Sequence, residues 1–488
     1  MKVLITHSYF LRFDPKQWKL GQPYPPLAPL FAASLLRSKG FDPAFFDTMF
    51  CRGPAEIGPV LKKERPDLLV IYDDGFNYLT KMCLTNMREA AFSMAGLAKQ
   101  AGIRVAVSSS DATDHTEKYL DKQADFIIRG EAEHTLAELA CELRSGGSSF
   151  DKIDGLAYRK NGITVKTAPR EIMRELDELP LPAWDLIDIE PYRKTWQRHN
   201  GYFSLNFVTT RGCPFKCNWC AKPIYGNRYN SHSPAYVVRA LKQLVDKYRP
   251  DHFWFSDDIF GLKPKWIGEF ASLVRQEKLG IRFKIQSRVD LLLEDDNIAA
   301  LARAGCETVW VGAESGSQKI LDAMEKGTKT EQIYRATALL KKHGIRPAFF
   351  IQFGYPGETL EDIDQTMRML KELLPDDIGI SVSYPLPGTG FYERVRNELK
   401  EKANWTDSDD LALMFRSTYS PRFYKQLHRY VHKNYRKYQG IDNLRKLVKM
   451  KIGPGRGNLR RALASFYFIP ASYIEKQKLE AYRHDQAG

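Results

Sequence analysis

Apolar and polar positions change rhythm twice along the chain. In the first part, short apolar runs alternate with stretches of helical spacing. Val3-Leu4-Ile5-Thr6 reads as a strand, and Leu27–Lys39 repeats at helical spacing until Gly40 stops it. Ala44-Phe45-Phe46 reads as a second strand. Asp67-Leu68-Leu69-Val70-Ile71-Tyr72 is a continuous apolar run closed by Asp73-Asp74, the pattern of a strand buried on both faces. A helix over about 81–100 follows, then strands at Arg104–Ser108 and Phe126-Ile127-Ile128. Such alternation predicts an α/β, doubly wound domain, and in that architecture ligands sit outside the carboxyl ends of the strands. The loops around Ser8, Asp73, Ser108 and Gly130 are therefore candidates for binding.

The rhythm breaks after Gly146-Gly147-Ser148-Ser149. Residues 156–165 read as a hairpin turning through Asn161-Gly162, and Leu179-Pro180-Leu181-Pro182-Ala183-Trp184 as a proline-rich connection. Alternation then resumes six times, with strands expected near 203–210, 252–256, 282–287, 308–313, 347–353 and 378–384. Six strand–helix units predict a parallel sheet curled into a partial barrel, with chemistry at the carboxyl ends of its strands. The unusual residues fall there in order: a cysteine loop, Asp257-Asp258, Arg288, Glu314-Ser315, Gly354-Tyr355-Pro356-Gly357, and Pro385-Leu386-Pro387-Gly388. The expected division is a Rossmann-like domain at 1–145, a hairpin and linker at 146–200, a partial (β/α)6 barrel at 201–395 and a helical region at 396–488. The last is broken at Gly453-Pro454-Gly455.

Composition narrows the picture. Hydrophobic content of 43% with 27% charged residues suits a globular chain, and no apolar run approaches the ~18 residues of a membrane-spanning helix. The start lacks the pattern of a signal peptide, and seven cysteines are an odd, sparse set, so a reducing, cytoplasmic setting is expected. Residues 421–488 carry 16 Lys+Arg against 4 Asp+Glu, so +12 of the net +14 lies in the tail. With aromatic residues interleaved, the tail leaves peripheral membrane contact open beside a plain solvated face. Nucleic acid is disfavoured, since no recognition motif accompanies the charge.

Thr210-Arg211-Gly212-Cys213-Pro214-Phe215-Lys216-Cys217-Asn218-Trp219-Cys220 places three thiols within eight residues. Close thiols in a reducing setting point to metal rather than disulfide. Structural zinc favours four protein ligands, commonly as two pairs, and only one group exists here. Three thiolates suit a [4Fe-4S] cluster with one open iron. This C-x3-C-x2-C loop with an aromatic before its last cysteine resembles the radical S-adenosylmethionine (SAM) superfamily. The resemblance implies that Cys213, Cys217 and Cys220 hold the cluster and that SAM chelates the fourth iron, to be cleaved to a 5′-deoxyadenosyl radical. It further implies that Trp219 lies against the cofactors, that Asp257 and Asp258 meet the SAM amino group, and that Arg288 pairs with its carboxylate. Glu314 and Ser315 would bond the ribose, and Gln352 and Gly354 would lie on the adenine side.

A Rossmann-like domain ahead of such a barrel resembles the cobalamin-binding radical SAM class. The carrying stretches are Pro26–Leu30, Gly40–Asp47, and Asp125–Glu133, the last with its Gly130-Glu131 pair. No Asp-x-His-x-x-Gly is present, so the resemblance implies cobalamin without a histidine ligand to cobalt, or a domain kept without the cofactor. Ser108 and Ser109 then approach the nucleotide tail or form an ordinary loop. Cys220–Tyr229 and Tyr384–Thr389 resemble the group of the anaerobic magnesium-protoporphyrin IX monomethyl ester cyclase and the hopanoid methylases. The leading implication is C-methylation of an unactivated carbon, with methyl passing from SAM through cobalamin. The alternatives are oxidation or cyclisation without methyl transfer, and a cobalamin- or tetrapyrrole-binding regulator with an inactive barrel. A methylthiotransferase is disfavoured, because Cys51, Cys83 and Cys141 lack the local motif for a second cluster. The expected partners are a small substrate and a reductant such as flavodoxin or ferredoxin. Tyr225, Phe260, Phe349 and Tyr384 are expected to line an apolar pocket.

Overall fold

In the computed structural model, residues 1–483 are described except 82–83, 223, 295, 400–403, 450–451 and 454. Cys83, Pro223 and Pro454 lie outside the described residues.

The first sheet has seven strands: β1 (Val3–Thr6), β2 (Pro43–Phe46), β3 (Leu68–Tyr72), β4 (Arg104–Ser108), β5 (Phe126–Ile128), β6 (Leu156–Lys160) and β7 (Ile163–Lys166). Their order is β2-β1-β3-β4-β5-β6-β7, and the first five are parallel. Strand residues alternate between two cores. Val3, Ile5, Val70 and Ile128 face the helices Leu27–Ser38 and Glu133–Arg144, whereas Leu4, Leu69, Ile71 and Val107 face Ile57–Glu64 and Thr85–Gln100. Helices on both faces bury the central strands β1, β3 and β4 twice, which explains the continuous apolar run of β3. The order reverses between β1 and β3, the switch point of a doubly wound sheet.

The hairpin does not stand apart in the linker. Its strands join this sheet as antiparallel edge strands, because β6 pairs with β5 and buries Leu156, Ala157 and Tyr158. Asn161 and Gly162 both take positive φ, as a two-residue hairpin turn demands. The helix expected from about 81 begins at Thr85, after a separate short turn of helix at Tyr78–Lys81.

The second sheet has six parallel strands: β8 (Ser204–Phe207), β11 (His252–Phe255), β12 (Phe283–Ser287), β13 (Cys306–Glu314), β14 (Arg346–Phe353) and β15 (Asp377–Val382). A two-residue ladder of β9 (Thr210–Arg211) and β10 (Asn230–Ser231) lies between β8 and β11 in the chain. The six run in sequence order from β8 to β15, so the sheet curls without closing, a half-barrel with β8 and β15 as its edge strands. Phe253, Phe255, Phe283, Ile285, Val309, Val311, Phe349 and Ile351 are buried among the outer helices. By the period of two, Trp254, Lys284, Trp310 and Phe350 face the lumen. The helix expected near 291–304 is split into Val289–Leu292 and Asn297–Ala304.

The amino-terminal domain covers the β8 edge. Trp196 Nε1 donates to the Pro23 carbonyl at 2.7 Å, Asn206 Nδ2 to the Pro25 carbonyl at 2.9 Å, and Tyr24 and Ser204 share a 3.2 Å hydroxyl bond. A helix at Pro421–Val448 lies by β15, where Tyr435 donates to the Pro375 carbonyl at 2.7 Å. Residues 404–412 form a strap back to the first domain: Thr85 N–H donates to the Trp405 carbonyl at 2.8 Å, and the Ser408 hydroxyl to Asp14 at 2.8 Å.

Candidate functional site

The cysteine loop leaves the carboxyl end of β8 and is pinned at both ends. Asp257, at the end of β11, receives the N–H groups of Thr209 (2.7 Å) and Thr210 (2.6 Å) and both threonine hydroxyls. Gly212 then turns with φ +77°, and a Cβ there would lie 2.3 Å from the Arg228 carbonyl oxygen, so only glycine fits. Asn218 holds the middle of the loop. Its amide donates to the Ala323 carbonyl at 2.8 Å, its side-chain oxygen accepts from Tyr355 at 2.8 Å, and its backbone bonds Met324 and Phe391.

Cys213, Cys217 and Cys220 are free and half-buried. Burial pushes the Cys220 thiol up to about 12 and raises Cys213 as well. Among the described residues no three His, Cys, Asp or Glu stand close enough to hold a single metal ion. Three cysteines from one loop are the donor set that suits a [4Fe-4S] cluster, which presents a different iron to each thiolate.

Around the loop lies a set of charged groups that the sequence reading only partly anticipated. Lys326 was not singled out, yet it is buried and donates to Glu314 Oε1 at 2.9 Å. Its ammonium also lies 5.8 Å from the Trp219 ring centre. Glu314 adopts φ +58° at an irregularity in β13, and a Cβ on Gly312 would fall 2.6 Å from both Glu314 Oε1 and Lys326 Nζ. Gly312 therefore clears the space for this pair. Arg288 is buried with its guanidinium 3.6 Å from the Phe215 ring centre and 3.9 Å from Cys217 Sγ. The Trp219 indole N–H is buried without a partner.

Several of the expected site residues have partners within the chain. Asp257 is consumed by Thr209 and Thr210, so it positions the cysteine loop. Asp258, the more exposed of the two, pairs with Lys81 of the first domain at 2.6 Å. The Arg288 fork is held by Asp290 (2.8 and 3.0 Å) and the Lys326 carbonyl (2.9 Å), beside the cysteine loop. The Ser315 hydroxyl is turned behind the sheet, bonding Thr366 and the Ser317 N–H. Gln352 donates to Ser383 at 2.9 Å. Gly354, at φ +80°, donates its N–H to buried Glu358 at 2.7 Å and packs against Leu413 and Tyr424.

The carboxyl ends of the two sheets face one another. Tyr225, just past the cysteine loop, stacks on Phe76 after β3 at 5.5 Å, and the Ile224 carbonyl oxygen lies 3.7 Å from where a Cβ on Gly130 would stand. Glu131 is buried. With Glu133 it clamps Arg211, the residue before Gly212, in a fully buried triad: Arg211 donates to Glu131 Oε1 and, at 2.7 Å, to Glu133 Oε1. Phe31, Phe76 and Tyr225 ring the guanidinium at 5.5–5.7 Å. The Ser109 hydroxyl caps the helix Ser110–Asp114 by accepting from Ala112 N–H at 2.9 Å, and the Ser108 carbonyl takes the Asp73 N–H. Tyr225, Phe260 and Phe349 are buried in packing rather than lining a pocket, and Tyr384 stacks on Trp405 at 4.6 Å. A cavity of about 610 Å³ lies at the opposite end of the half-barrel, beside Tyr202, His252, Lys284 and Trp310, remote from the thiols by the strand direction.

Comparison with known proteins agrees with this architecture. Residues 207–370 match the radical SAM superfamily model. The chain is 28% identical over 467 residues to an uncharacterized methyltransferase of Pyrococcus horikoshii, covering 93% of this chain and 90% of that protein. It is 28% identical over 281 residues to the anaerobic magnesium-protoporphyrin IX monomethyl ester cyclase of Rubrivivax gelatinosus, covering 57% of this chain and 50% of the cyclase. The solved structure of OxsB, a cobalamin-dependent SAM radical enzyme with aqua-cobalamin bound, superposes with a TM-score of 0.74 at 16% identity, over 97% of this chain and 72% of that one. At that identity the likeness speaks to the fold. The half-barrel and the three-cysteine loop at the end of its first strand fall where residues 207–370 match the radical SAM superfamily model, so this part of the chain is a radical SAM domain.

Proposed function

We propose that the chain uses a [4Fe-4S] cluster on Cys213, Cys217 and Cys220 to cleave SAM, with cobalamin against the carboxyl-end loops of the first domain, and methylates an unactivated carbon of a small substrate. The observation that carries this reading is the meeting of the two carboxyl ends. The cysteine loop of one sheet opens toward the loops after β1, β3, β4 and β5 of the other. The methyltransferase name of the Pyrococcus relative and the cobalamin of OxsB support it.

The bound groups would supply radical formation and methyl donation. The chain's own residues hold and orient. Asp257, Asn218 and Arg288 fix the cysteine loop. Glu314, Lys326 and the unpartnered Trp219 indole offer a carboxylate, an ammonium and an N–H donor beside it, suited to the polar groups of SAM. Asp258 sits at the seam between the domains, where it pairs with Lys81. A small one-electron donor such as flavodoxin or ferredoxin supplies the reductant. The likeness to the cyclase favours one second reading, radical oxidation or cyclisation without methyl transfer.

The test uses anaerobically reconstituted protein supplied with iron, sulfide and hydroxocobalamin, then SAM and dithionite. Retained cobalamin with both 5′-deoxyadenosine and S-adenosylhomocysteine formed is the expected result. Formation of 5′-deoxyadenosine alone, with cobalamin washed away, replaces methylation with the oxidase or cyclase reading. Neither product from cluster-loaded enzyme favours the regulator.

A further inference from the structure

The two carboxyl-terminal helices, Pro421–Val448 and Arg456–Ala481, run antiparallel, as the pairings Asn443–Asn458, Lys433–Tyr467 and Gln426–Glu475 show. The second helix is packed inside out. Its inward face is small and polar: Ala462, Ser465 and Ser472 are buried, and Gly440 of the first helix lets Ser465 come so near that an added Cβ would lie 2.7 Å away. Most of its large apolar residues point to solvent, with Leu479 the one packed against the core. Leu459, Leu463, Phe466, Tyr467, Tyr473 and Ile474 recur at helical spacing on one stripe, with Leu463 64% and Phe466 68% exposed. Leu444 and Val448 extend the exposed set at the turn end of the first helix. A stripe of this size and regularity calls for an occupant.

The charge around it selects the occupant. Arg460 and Lys476 lie on the same helix, Arg445 and Lys449 near the turn beside the Lys446–Asp442 ion pair (2.7 Å), and Lys433 bonds the Tyr467 hydroxyl at 3.1 Å. The two carboxylates of the second helix described here are engaged, Glu475 with Gln426 and Glu480 with Arg483. Among the described residues no helix is long and apolar enough to cross a membrane. An apolar stripe with tyrosines, a basic surround and no free acid is the pattern of a helix lying in an anionic lipid interface. We propose that the outer face of this helix pair docks on an anionic membrane surface, independently of the reaction the barrel performs.

The holoenzyme is sedimented with phosphatidylcholine vesicles with and without phosphatidylglycerol, and its mass in free solution is measured. The expected result is binding that needs phosphatidylglycerol, weakens with salt, and falls about ten-fold or more in the double variant Leu463→Ser/Phe466→Ser, whose residues leave no core behind. Ile163→Ser, which alters an exposed isoleucine on the hairpin, leaves binding unchanged. Far-ultraviolet circular dichroism and iron content verify that the double variant is folded. Absence of vesicle binding by the parent, or equal binding by the double variant, overturns the proposal. So does self-association that the double variant abolishes, which would assign the stripe to a second copy.

Discussion

The loops at the carboxyl ends of the two sheets are built alike and used differently. In the first domain the polar groups are largely spent on one another: Ser8 on Asp73, Asp74 on the N–H groups of Leu27 and Ala28, Ser109 on Ala112, and Glu131 with Glu133 on Arg211. In the half-barrel three thiols are free, the buried Trp219 indole N–H has no partner, and the Lys326 ammonium of the Glu314–Lys326 pair lies 5.8 Å from the Trp219 ring centre. The first domain thus offers a shaped, mostly self-satisfied platform, and the barrel offers the reactive groups. The two meet through Arg211, which belongs to the cysteine loop by sequence and to the first domain by its ion pairs.

The contrast predicts a graded set of outcomes. The largest is at the thiols: Cys217→Ala abolishes iron loading and SAM cleavage, while the fold, which rests on the apolar cores, persists by circular dichroism. Next comes the seam. Arg211→Met leaves two carboxylates buried without their cation and costs about 3–5 kcal/mol in urea unfolding. The loss shrinks as pH falls, because burial already raises Glu131 and, without the arginine, protonation relieves the buried charge.

A third outcome concerns Glu358, the buried acid beneath Gly354. Burial pushes its carboxyl up to about 8, so the folded chain keeps a proton that the unfolded chain has released. Its contribution to stability is therefore largest below the ordinary carboxylate range and declines as pH climbs to about 8. Glu358→Gln flattens that slope in denaturation measured between pH 5 and 8. The smallest effect belongs to the platform: Ser109→Ala removes one helix cap and costs about 1 kcal/mol, with iron loading unchanged. A large loss of cobalamin retention in this variant, with stability intact, would instead make Ser109 a ligand contact and blur the contrast.

Legibility followed the range of the physics involved. All six barrel strands and most helices lay within a few residues of their expected places, since apolar periodicity is a local signal. The cysteine loop was legible because its spacing lies within eight residues. Lys326 was missed: it follows a helix and carries no motif, and only the return of the chain beside β13 places it on Glu314. The narrow Gly312, where a Cβ would strike both groups, was the one available hint. Asp257, Ser315 and Arg288 were placed at the correct strand ends, but their side-chain partners come from other elements. Tyr225 and Phe260 read as pocket aromatics, because composition cannot tell a lumen-facing ring from a packed one.

The sequence by itself determined the two sheets, the strand ends where polar residues gather, and the triplet of thiols, all properties of short windows. Only the tertiary structure decided which polar groups were already satisfied, that Glu131 and Glu133 serve Arg211, and that the last helix turns most of its large side chains outward. Those outcomes depend on partners from 12 to about 80 residues away or on the face a helix presents to its neighbour, and a buried charge is settled by whichever counter-charge the fold brings within reach.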